Sequence, residues 1–216
     1  MLRTLVLLDG MPGSGKTTSS RALAERYRDA GSEVGWALEE DREHPFFGQE
    51  FRRSHRSPGF PDRCLDAWRQ VTSACAEHPW VLEGVTFQST VRFMFEQDVP
   101  EREIDAYWDD FLTIVRAVDP LLVYLRPGDL RSFISEHTTT VRSDVWDKIS
   151  KHVMSTPAGR RLNARGIDAP VEFWVRYSER CEQLIDRCDL AKLVLDVGPG
   201  WAGVDESIAL RAVADE

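Results

Sequence analysis

Gly10-Met11-Pro12-Gly13-Ser14-Gly15-Lys16-Thr17 concentrates in one short stretch the residue types that handle polyphosphate. Gly13 and Gly15 can adopt backbone conformations that a Cβ forbids, so successive N–H groups can converge on phosphate oxygens. The positive end of a helix beginning here adds to that attraction. Lys16 then reaches the terminal phosphates, the Thr17 hydroxyl ligates magnesium and Thr18 contacts the innermost phosphate. The run from Gly10 to Thr18 therefore reads as a loop for the polyphosphate of a purine nucleotide, with ATP and Mg2+ the expected occupants. Such a loop does not say whether phosphate passes to a substrate or to water.

Carboxylates and cations elsewhere bear on that choice. Glu39, Glu40 and Asp41 follow the apolar run Val34 to Leu38. A carboxylate there could take a proton from an attacking hydroxyl or orient it, and Glu39 and Glu40 both stay open for the role. Glu83 closes Trp80-Val81-Leu82 and would face the magnesium directly or through water. Charge spread over a transferring phosphoryl group calls for cations that close over it, and Arg160 and Arg161, with Arg142 and Arg165 nearby, are expected to do so. Asp41, Arg42, His44, Arg52 and Arg142 are the candidates for binding a substrate; Arg53, Arg56 and His55 share that flexible setting. Trp201, after Gly198-Pro199-Gly200, is expected beside the base, and Trp36, Trp68, Trp108, Trp146 and Trp174 in the core or in pocket walls.

The elements that must position these groups follow from periodicity. Leu2 to Leu8 is apolar without alternation, as in a strand covered on both faces of a parallel sheet. Thr17 to Ala30 carries a helical stripe and stops at Gly31. Further strands are expected at Val34–Leu38, Trp80–Leu82, Leu121–Leu125 and Leu190–Val197, with helices over about Asp62–Ala76, up to Phe95, after Pro100, up to about His137, over Val171–Cys188 and after Gly200. Residues 41–61 and 138–169 lack a sustained period; the first reads as an acceptor-binding segment and the second as an excursion or lid. Alternating strands and helices imply one α/β domain over residues 1–216 with right-handed crossovers.

Bulk properties exclude some partners. A formal charge of −9 and a sequence pI near 5.1 argue against a surface that neutralises nucleic acid or an anionic membrane. Nothing approaches a membrane-spanning apolar run, so a cytoplasmic location is expected. Cys64, Cys75, Cys181 and Cys188 show no metal-binding spacing and read as buried reduced thiols. The composition leaves homodimer formation open.

With those motifs in place, the chain resembles the P-loop kinase superfamily, above all the nucleoside and nucleotide kinase-like branch that includes thymidylate kinase and the deoxynucleoside kinases. It is also similar to bacterial P-loop proteins carrying Leu-Glu-Glu-Asp-x-x-His-Pro after the second strand, here Leu38 to Pro45. The resemblance implies a three-layer P-loop NTPase fold, with a five-stranded parallel sheet in the order 2-3-1-4-5, helices on both faces and an arginine-bearing helical lid between strands four and five. It implies that Glu39 or Glu40 contacts the acceptor and that Glu83 matches the acidic start of an Asp-Arg or Glu-Arg pair. Gly84 stands where those kinases keep arginine, which leaves Arg92 or Arg126 to supply the missing cation.

The expected activity is an ATP- and Mg2+-dependent kinase, transferring the γ-phosphoryl group to a nucleoside, nucleotide, sugar or secondary metabolite. A regulatory ATPase acting through a protein partner is the alternative. The guanine-specificity element Asn/Thr-Lys-x-Asp and a strand-three Asp-x-x-Gly are both missing at matching positions, which disfavours a GTPase switch.

Overall fold

A computed structural model describes residues 3–136, 143–163 and 168–198. Five strands form one all-parallel sheet: β1 (Leu5–Gly10), β2 (Gly35–Leu38), β3 (Trp80–Glu83), β4 (Leu121–Pro127) and β5 (Ala191–Val197). Their order is β2-β3-β1-β4-β5, as the resemblance implied. The central strand is buried along its whole length, because its residues serve two opposite cores. Leu5 and Leu7 join one apolar cluster and Val6 and Leu8 the other, the period of two expected of a strand between two helical layers.

On one face, α1 (Lys16–Asp29) packs Leu23, Ala24 and Tyr27 against the sheet. On the other lie α3 (Phe60–Ala74), α5 (Glu101–Val115) and α9 (Ala169–Arg187), following α2 (Gln49–Arg53) in the chain order. The α3–α5 contact is made specific by a buried hydrogen bond, from Trp68 Nε1 to Tyr107 Oη at 2.9 Å. All four cysteines are buried and free. The last expected helix and Trp201 lie outside the described residues.

Two segments differ from their expectation. The stretch after β3 is a π-helical turn, Phe87–Val91, running straight into α4 (Arg92–Glu96). Most of the described part of 138–169 is regular: α7 (Ser143–Ser155) and α8 (Pro157–Asn163) follow α6 (Leu130–Glu136). Val153, Ala158 and Leu162 of these helices are buried in the larger cluster. No helix among the described residues is long and apolar enough to cross a membrane.

Candidate functional site

The parallel register decides which side chains meet. Leu8 of β1 and Leu38 of β2 both pair with Glu83 of β3, so Asp9, Glu39 and Gly84 emerge together at the next level, at the carboxyl ends of the strands. That edge is where open α/β sheets bind ligands. The glycine loop connects β1 to α1 there, and Gly13 and Gly15 take φ of 85° and 87°, the left-handed values that kept these positions glycine. The loop folds on itself through Ser14 N to Met11 O at 3.0 Å. Lys16 is buried; its Nζ donates to Met11 O at 3.3 Å and lies 3.8 Å from Glu83 Oε1.

A cleft of about 630 Å³ opens over this edge. Pro12, Gly13, Lys16 and Thr17 form one end of it and Glu83 its floor. Glu39, Glu40, Arg42 and Arg52 come from the segment after β2, while Gln88, Ser89 and Arg92 come from the π turn and α4. Ile149 of α7 and Trp174 of α9 supply apolar wall. The volume lies in the range of small-molecule sites.

Glu39 and Glu40, which the sequence left equivalent, occupy different surroundings. The Glu39 carboxylate lies over Gly84, where φ is 72°, and a Cβ built on Gly84 would stand 2.6 Å from Glu39 Oε2. Gly84 is therefore no vacancy left by an arginine: a side chain there would evict Glu39. The Glu39 backbone N–H donates to Glu83 Oε2 at 3.4 Å, tying the two acidic positions together. Burial pushes Glu83 up to about 8, against the pull of Lys16, with Glu39 and Asp9 pushing the same way as burial.

Asp9 was passed over in the sequence. It is fully buried and accepts hydrogen bonds from Gly10 N at 2.8 Å and Phe87 N at 2.7 Å, fastening the start of the glycine loop to the π turn. Burial raises it to about 7, opposed by Lys16. A carboxylate ending an otherwise apolar strand was the available signal. Gln88, whose Nε2 donates to Gly10 O at 3.1 Å, and Ser89 and Ile149 carried no comparable signal, since only the π turn and the α7 packing turn them inward.

Other expected residues stand elsewhere. Arg160 and Arg161 do not line the cleft: Arg160 donates to Ser155 O, and Arg161 pairs with Asp98 at 2.6 Å. Their placement on α8 turns them to the surface, because the α8 face that packs inward carries Ala158 and Leu162. His44 is buried away from the cleft, its Nδ1 accepting from Phe46 N and Phe47 N; burial lowers it to about 4, so it stays neutral and structural. Asp41 caps the turn, its Oδ2 accepting from Leu38 N at 2.8 Å. Arg52 reaches the cleft, yet its guanidinium is spent on the carbonyls of Glu39 and Asp41 and clamps that turn. Arg42 lines the cleft, and Arg142 and Arg165 fall outside the described residues. Of the two arginines that could replace one at position 84, Arg92 lines the cleft, whereas Arg126 pairs with Asp196 at 2.7 Å.

The residues fit a magnesium–nucleotide. Lys16 lines the cleft 3.8 Å from Glu83, a cation in the space a phosphate would take, and the buried Ser14 Oγ has no hydrogen-bond partner. Thr17 and Glu83 both border that space. No grouping of three or more acidic, His or Cys side chains able to hold a metal by itself occurs among the described residues.

The fold and loop together define the chain as a P-loop α/β protein with kinase-like strand order. Among solved structures it is similar to deoxyadenosine kinase from M. mycoides, solved with bound dATP: 15% identity over 99% of this chain and 97% of that one, with a TM-score of 0.48. No protein-family model matches the sequence, and no curated protein does.

Proposed function

We propose that the chain is an ATP- and magnesium-dependent phosphotransferase acting on a small hydroxyl- or phosphate-bearing acceptor. The observation that carries this reading is one cleft of about 630 Å³ whose lining includes Lys16 and Thr17 together with Glu39, Arg42 and Arg92. A hydrolase needs room only for water beside the terminal phosphate, and a lining that brings in a carboxylate and arginines from other segments favours an acceptor.

Backbone N–H groups of residues 13–17 and Lys16 would hold the polyphosphate, and Thr17 with Glu83 would hold the metal, which when bound would supply Lewis-acid charge neutralisation. The Glu39 carboxylate accepts the proton of the acceptor hydroxyl as its oxygen bonds the γ-phosphorus and the bond to ADP breaks. Arg92 offsets charge on the acceptor side. Ile149 and Trp174 limit water access, which would otherwise compete as acceptor.

The test is ATP consumption with and without pooled nucleosides, nucleoside monophosphates, sugars and aminoglycoside-type metabolites. Slow basal hydrolysis with strong stimulation by one pool is expected. Brisk hydrolysis indifferent to every pool, altered instead by a protein partner, would overturn the reading in favour of a regulatory ATPase.

A further inference from the structure

Glu96, at the end of α4, is fully buried, yet neither of its carboxylate oxygens receives a well-aligned hydrogen bond. A buried carboxylate so placed is costly unless cations face it. Two basic side chains from different elements do. Arg92, one helical turn earlier, places Nη1 3.5 Å from Glu96 Oε1, and His152 of α7 places Nε2 3.1 Å from the same oxygen. His55, stacked on Phe93 with ring centroids 4.7 Å apart, acts on the same carboxylate from the segment after α2, in the lowering direction. Burial pushes the Glu96 carboxyl up, but the His152 contact and Arg92 outweigh it and hold it below its ordinary value, so it is ionised at neutral pH.

Both partners of this carboxylate lead to the cleft. Arg92 lines it, its Nε fixed on Gln88 O at 2.9 Å, and His152 lies one turn from Ile149, the α7 residue in the cleft wall. We propose that Glu96 is a positioning residue that holds the Arg92 guanidinium toward the acceptor side of the cleft and, through His152, docks α7 over it. A single buried charge thereby links one cation of the cleft to the α7 wall. This role for Arg92 rests on the phosphotransferase reading; the docking of α7 does not.

The test therefore uses the full chain without nucleotide. Hydrogen–deuterium exchange is followed over residues 143–155 in wild type, Glu96→Gln, His152→Ala and the double variant, with β1 and β4 as internal reference. Each single variant should speed exchange in α7 by about tenfold and leave the strands unchanged, and the double variant should be no faster than the faster single one, because both remove the same contact. Unchanged α7 exchange in His152→Ala, or multiplicative effects in the double variant, overturns the tether. In parallel, nitrogen NMR of the Arg92 side chain, assigned with Arg92→Lys, should show restricted rotation about Nε–Cζ in wild type and free rotation in Glu96→Gln. A merely structural Glu96 would leave that signal unmoved and overturn the positioning role. Failure of MgATP to bind wild type, read separately by calorimetry, would sink the phosphotransferase reading while leaving the α7 result standing.

Discussion

The carboxylate of Glu39 occupies the space that any side chain at Gly84 would need, with only 2.6 Å between Glu39 Oε2 and the position of a Cβ on Gly84. Gly84 also sits at φ 72°, a left-handed conformation. Gly84→Ala should thus lose about 1–3 kcal/mol of stability from backbone strain and swing Glu39 aside. Denaturant melts would report the first effect. The second should appear as lost acceptor-dependent turnover with MgATP affinity nearly intact.

Glu39 and Glu40 should separate kinetically. Glu39→Gln keeps the shape but cannot accept a proton, so acceptor-dependent kcat should fall by about 10²–10⁴-fold. Glu40→Gln, also in the cleft lining, should cost less than about tenfold. Steady-state rates with the acceptor identified by screening decide between them, and equal losses would remove Glu39 from the proton-accepting role.

Lys16→Ala should abolish the stabilisation that MgATP confers. At a nucleotide concentration about 100 times Kd, wild type should gain about 2.7 kcal/mol, read as a rise of several degrees in Tm. The variant should show no rise, in a thermal melt with and without MgATP.

The arginines on α8 and α4 should behave oppositely. Arg161→Ala removes an exposed pair with Asp98 and should change stability by less than about 1 kcal/mol and turnover by less than about threefold. Arg92→Ala should lower acceptor-dependent turnover by about 10²-fold, as expected for a cation aimed at developing charge. Parallel rate and denaturation measurements on the two variants check this.

Two raised acids set a pH dependence. Asp9 is lifted to about 7 and Glu83 to about 8, both chiefly by burial, so the folded chain keeps protons that the unfolded chain has already released. The unfolded state binds fewer protons across that window, and stability falls as pH rises from about 4 to about 8, then levels. Denaturation midpoints of the nucleotide-free protein at intervals across this range should decline. Asp9→Asn should roughly halve the slope below about pH 7, since it removes one of the two titrating groups and leaves Glu83.

The glycine loop, the five strands and the acidic ends of β2 and β3 were legible in the chain alone, because each depends on local spacing. A phosphate loop needs Gly13, Gly15, Lys16 and Thr17 in consecutive reach of one ligand, and a doubly covered strand needs an uninterrupted apolar run like Leu5 to Leu8. What stayed closed depended on register and packing across long separations. Separating the surroundings of Glu39 from those of Glu40 required the alignment of Leu38 and Leu8 with Glu83, since one residue's offset turns a side chain to the other face. Arg160 and Arg161 looked suited to a lid, yet which face of α8 packs inward was set by Ala158 and Leu162 against the core. Arg92, more than seventy positions from the glycine loop, lines the same cleft because the π turn and α4 bring it there, beside Glu96. Local sequence determined the glycine loop, whereas tertiary packing decided the other walls of the cleft, because those are built where distant segments meet.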